Sequence, residues 1–166
     1  QSGEFIALSH GGLGASLSIG SAGDILKVNA GATALEFGDT SLAYSATAQT
    51  FTVTVATKDS SHPYYGTGSS SGYKIDSVFS TYLQMIPLNT YKFDQSDSTN
   101  SSHPLRLSTT ANGTHGGGSE YTTGVTTSGT PGSSGAYTQI EVATGAPTLY
   151  YYCTNHSGMG GTINTT

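Results

Sequence analysis

Charge is scarce in this chain. Its 166 residues include five Lys and Arg and ten Asp and Glu, so charged side chains make up only 9%, far below the share usual in globular proteins. A net charge of −5 and a pI near 5.3 argue against nucleic acid as a partner, because phosphate binding needs a basic surface. Tryptophan is absent and Cys153 is the only cysteine, so no internal disulfide forms the scaffold. No apolar run approaches the length of a bilayer span. The G-x-S-x-G elbow, the P-loop and the dinucleotide fingerprint are all missing, and so few carboxylates and lysines leave little material for general acid–base work. The expectation is a protein that is not an enzyme. The chain begins at Gln1 without a signal-peptide pattern, as a processed product or a part of something longer would.

What is abundant is glycine, with 23 residues, together with serine and threonine. Low hydrophobicity without high charge is not the signature of disorder. It suits β-structure, with Thr, Tyr and Val in strands and Gly, Ser and Asn in turns. Residues 1–48 carry short apolar clusters at Ile25–Val28 and Ala34–Phe37, flanked by Gly-Asp and Asn-Ala-Gly turn signals. Such strands are too short to bury a core alone. This segment reads as an arm that needs a partner surface, either other copies of itself or other proteins. From residue 49 to 166 the pattern changes. Phe51-Thr52-Val53-Thr54-Val55 and Tyr137–Val142 alternate, and Tyr73–Ile75, Tyr82–Ile86, Tyr91–Phe93, Leu105–Leu107, Thr148–Cys153 and Gly160–Ile163 also read as strands. A polar, glycine-rich loop is expected over 108–135, and no helix. Regularly spaced strands with turn signals predict an all-β antiparallel sandwich.

One short stretch carries chemistry: Cys153-Thr154-Asn155-His156-Ser157-Gly158-Met159. A thiolate, an imidazole and a thioether on one loop form the ligand set of a trigonal copper site with a weak axial sulfur, if a second histidine joins them. His103, fifty residues upstream, is the candidate. The bland reading is that a lone cysteine is a buried small hydrophobe and a strand-end histidine a satisfied polar residue. His62 precedes Pro63-Tyr64-Tyr65, a proline and aromatic pair that reads as packing on a sheet edge. His115 sits in a flexible loop, and His10 faces solvent. Asp94 and Asp97 read as turn caps in preference to Ca²⁺ ligands. Asn100, Asn112, Asn155 and Asn164 head N-x-[ST] sequons, relevant only to a eukaryotic secreted protein.

The run from Tyr150 to Gly160 resembles the copper loop of small cupredoxins, with amicyanin-like C-x-x-H-x-x-M spacing. Leu88–Phe93 and Ser101–Leu107 resemble the strands leading to the first histidine ligand of that family. This resemblance, over roughly 73–166, implies a Greek-key β-sandwich binding one copper ion in a type-1-like site, with His103, Cys153 and His156 equatorial and Met159 axial. A second resemblance lies upstream. Ile19 to Phe37, which includes Gly23-Asp24-Ile25-Leu26-Lys27-Val28-Asn29-Ala30-Gly31, is similar to a segment of phage tail-fibre and other virion appendage proteins. Phe93 to Glu120 and the Tyr-Tyr-Tyr-Cys run resemble a module of marine phage structural proteins. These likenesses imply a virion-surface structural protein of tail-fibre, capsid-fibre or decoration type. It would be anchored or oligomerised through 1–48, facing other virion proteins and a host surface receptor. The rival readings are a copper protein for electron transfer or metal binding, and a subunit of a cellular extracellular fibre or surface layer.

Overall fold

Two-residue alternation decides which side chains the sandwich keeps. The computed structural model describes Ile25–Val28, Leu35–Gly38 and residues 48–166, and the chain divides into two units, Gln1–Ser45 and Ala46–Thr166. In the first unit β1 (Ile25–Val28) pairs antiparallel with β2 (Leu35–Gly38), Val28 lying opposite Leu35. Both strands fall on the apolar clusters read from the sequence. The rest of the expected arm, His10 included, lies outside the described residues.

The second unit contains two sheets. One has the order β5-β4-β3-β7-β10-β9, from β3 (Ala48–Thr57), β4 (Ser71–Ile75), β5 (Val78–Phe79), β7 (Thr90–Asp94), β9 (Val125–Ser128) and β10 (Tyr137–Glu141). The other has the order β6-β12-β11-β8, from β6 (Leu83–Gln84), β8 (Leu105–Ser108), β11 (Leu149–Cys153) and β12 (Gly161–Asn164). The all-β expectation holds, but the expected purely antiparallel sandwich is corrected: both sheets are mixed. β3 runs parallel to β7, and β12 parallel to β6. The reason is a crossing. After β5 the chain leaves the first sheet to lay β6 in the second, then returns as β7 in the same direction as β3. The expected strand over 82–86 shrinks to Leu83–Gln84, and the expected loop over 108–135 contains the edge strand β9 and a 3₁₀ turn at Gly113–Gly116.

One apolar cluster draws on both sheets. Phe51, Val53, Tyr73, Ile75, Tyr91, Phe93 and Ile140 enter from the first, and Leu105, Leu107, Leu149, Tyr151 and Ile163 from the second. Phe93 and Tyr151 meet across the layers with ring centroids 6.1 Å apart. Each fully buried aliphatic side chain contributes about 1.5–3 kcal/mol. Alternation on β11 puts Leu149, Tyr151 and Cys153 on one face, so the thiol points inward at the strand's end.

Candidate metal centre

The register builds the centre from two strand ends. β8 and β11 pair antiparallel with Cys153 opposite Leu105, so the residues just before β8 lie beside those just after β11. His103 therefore arrives next to Cys153. The connection from β11 to β12 must then reverse, because Tyr151 pairs with Gly161, and its C-x-x-H spacing folds His156 back over the thiol. Sγ of Cys153 lies 3.7 Å from Nδ1 of His156 and 3.9 Å from Nδ1 of His103. The imidazole rings stand 4.6 Å apart, and the three ligand atoms lie within 4.8 Å of one another. Cys153 is fully buried, and both histidines are partly exposed.

The donor set fits a metal ion. With bonds of about 2.3 Å to sulfur and about 2.05 Å to nitrogen, a trigonal ion separates S from N by about 3.8 Å, and a tetrahedral one by about 3.6 Å. The two observed separations bracket the trigonal value. Burial, and secondarily the neighbouring His156, hold the His103 imidazole below its ordinary pKa. It is therefore neutral near pH 7, the state in which an imidazole ligates. His103, Cys153 and His156 could thus hold an ion together. Met159, the fourth residue expected from the sequence, is fully buried in the same apolar cluster as Cys153.

Both halves of the centre are braced by polar groups that sequence reading passed over. The His103 carbonyl accepts from Tyr73 Oη at 2.7 Å and Gln95 Nε2 at 2.8 Å. Gln95 Oε1 accepts from the Leu105 amide, and the buried Asn100 donates to the Val53 carbonyl. Asn100 is thus a structural residue, and its burial removes it as a glycosylation site. Burial first, and the nearby Cys153 second, push the Tyr73 phenol well above its ordinary pKa, which keeps it a donor. Tyr73→Phe deletes one of two donors on the His103 carbonyl. We expect a loss of about 1 kcal/mol in stability and of up to about tenfold in metal affinity, read by urea titration and calorimetry.

The loop after Cys153 is equally tied. The Thr154 amide donates to the Pro104 carbonyl, Asn155 Nδ2 to the Ser102 carbonyl, and the Gly158 amide to Asn112 Oδ1. The Ser157 carbonyl accepts from the Ser69 amide and the Met159 carbonyl from the Tyr73 amide. His115 does not stay in a free loop: its Nε2 reaches the Cys153 carbonyl at 3.0 Å. His62 is buried. Its Nδ1 accepts from the Tyr64 amide, so the proton sits on Nε2, which faces Ser80 Oγ at 2.8 Å. Ser80 Oγ in turn donates to the Gly160 carbonyl. A nucleophilic serine would donate to the histidine instead; this relay braces the end of the metal loop. Asp94 and Asp97 cap turns, accepting from the amides of Ser96 and Thr99. Hydrogen bonds from the Ser96 and Thr99 side chains first, and from the same residues' amides after them, hold both carboxyls below their ordinary pKa.

No family model, curated protein or solved structure matches the chain.

Proposed function

We propose that the second unit is a cupredoxin-like, copper-binding sandwich with Greek-key connections. The observation that carries this reading is the convergence of one buried thiol and two imidazole nitrogens at separations of 3.7 and 3.9 Å. Copper, when bound, would supply one-electron redox chemistry. The chain's residues do the rest. His103, Cys153 and His156 would hold the ion, and Met159 would offer a further, thioether sulfur from the same loop. Tyr73, Gln95 and the loop hydrogen bonds keep the donors in one geometry, and the apolar cluster around Cys153 keeps water from the sulfur side. The test is to add Cu(II) to metal-free protein. One equivalent should bind with an intense visible thiolate-to-copper band. A colourless protein that retains no copper by elemental analysis after dialysis refutes the reading.

A second reading concerns where this module works. We propose that the protein is a structural subunit of a virion surface, of appendage or decoration type, anchored through residues 1–48 and without catalytic turnover. Its partners would be other virion proteins, copies of itself and a host receptor. Besides the likeness of residues 19–37, one arrangement within the second unit supports it. β3 begins at Ala48 beside Thr90 and runs parallel to β7 toward Asp94, and Gln95, just beyond, holds His103. The unit is therefore entered at one pole and carries the candidate centre at the other. Sedimentation and negative-stain microscopy of the full chain should find ordered oligomers or fibres. A monomer at every concentration speaks against assembly through the arm.

A further inference from the structure

The geometry points to Lys58 as the positioning residue of the metal loop, acting as a buried cation that locks the segment 59–70 onto residues 157–159. Lys58 follows β3 directly and is only 6% exposed. A buried ammonium ordinarily demands a carboxylate, yet among the described residues Lys58 forms no ion pair. Its three protons go to carbonyls instead: Tyr64 at 2.7 Å, Thr67 at 2.7 Å and Gly158 at 3.0 Å. Two of these lie on the segment that follows Lys58, and the third lies one hundred residues away, next to Met159. The ammonium therefore joins two loops that share no strand. Each carbonyl dipole stabilises the charge, and the charge fixes where each carbonyl can be.

The surroundings fit this role. The methylene stem lies close against Gly72, where an added Cβ would sit 2.8 Å from Lys58 Cγ and 2.6 Å from the His62 ring. The two loops are in direct contact. A Cβ on Gly68 would meet the Ser157 carbonyl at 2.6 Å, and one on Gly158 the Thr67 carbonyl at 2.9 Å. The Ser69 amide donates to the Ser157 carbonyl. Lys58 thus sets the distance between Gly158 and the segment 64–67, and through Gly158 the approach of Met159 to the cluster. The inference rests on the metal-centre reading only for what the loop carries; the lock itself can be measured without metal.

The test compares amide hydrogen exchange in the metal-free full chain with and without the ammonium. In Lys58→Met, which keeps the stem and deletes the donors, exchange should quicken about tenfold in both 62–70 and 154–160 while β8 and β10 stay protected. Quickening confined to 62–70 overturns the proposal. Lys58→Ala supplies a second measurement should the methionine variant not fold. n-Propylammonium should restore folding and slow exchange, and neutral n-propanol should not. Equal recovery with propanol, or none with propylammonium, overturns the role of charge. After copper loading, the visible band of Lys58→Met should shift or broaden. An unchanged band in a variant whose loop exchange has quickened overturns positioning. Absence of a band in the unaltered protein instead defeats the copper reading and leaves the metal-free exchange to decide this one.

Discussion

Replacing Cys153 by alanine is expected to abolish metal binding while leaving the fold in place. The two effects separate because the thiol has two unrelated roles. As a core side chain it fills one small position at the end of β11, and losing its sulfur costs about 1 kcal/mol of packing. As a ligand it is the sole soft anionic donor of the centre. Disturbing even an outer partner of a metal ligand costs about 10–100-fold in affinity, and removal of the thiolate should exceed that. Two imidazoles with rings 4.6 Å apart and the uncharged Met159 thioether remain, which is too little to hold the ion. The cleanest reading is thermal. A ligand at about 1,000 times its Kd adds about 4 kcal/mol to stability, so copper should raise the melting temperature of the unaltered protein and leave that of Cys153→Ala unmoved. A variant that still takes up one equivalent of copper and melts later with it would show that the thiol is merely a core residue.

The centre was partly legible in the sequence, for a reason of range. C-x-x-H is a local spacing, and a tight loop brings Cys153 and His156 together whatever the rest of the fold does. His103 needs the β8–β11 register, which the strand pattern does not record; the resemblance to small cupredoxins is what implied that its strand meets the loop. The residues that brace the centre left no trace. Gln95, Asn100, Lys58 and Asn112 act through individual hydrogen bonds to backbone groups, some near in sequence and some far, and such contacts have no period to read. The strands show the same division. Phe51–Val55 and Tyr137–Val142 have one buried face, so alternation marks them, while Leu149–Cys153, with Tyr152 buried on the other face as well, is marked by its unbroken run of apolar and aromatic residues. Val125–Ser128 is an edge strand with little burial and looks like loop. The parallel neighbours of β3 and β12 were not legible at all, because alternation records which face is buried and not which strand lies alongside.

Gly160→Ala should be the most damaging of the glycine-to-alanine exchanges among the described residues. Gly160 links Met159 to β12, and a Cβ there would lie 1.7 Å from the Tyr151 carbonyl oxygen, 2.7 Å from its carbon and 3.0 Å from Tyr152 Cα. All three atoms are backbone of β11, which is paired on both sides, with β12 and with β8. No side chain can swing away, so relief requires moving a central strand. Overpacking of a core costs about 1–3 kcal/mol where neighbours can adjust; here we expect about 3 kcal/mol or more, within the small class of severe substitutions. The damage should also reach the metal. The Gly160 carbonyl is held by Ser80, and the preceding Met159 carbonyl by the Tyr73 amide, so displacing Gly160 pulls on the loop that positions Met159 and His156. Urea denaturation should show the midpoint falling sharply, and copper uptake should weaken in whatever folded fraction remains. Gly145→Asn is the control: its φ of +74° is one that asparagine tolerates, and a Cβ there meets nothing within 4 Å. If both variants unfold within about 1 kcal/mol of the unaltered protein, the β11–β12 connection is looser than its geometry implies. The metal loop would then owe its shape to the ligands more than to the strands that carry them.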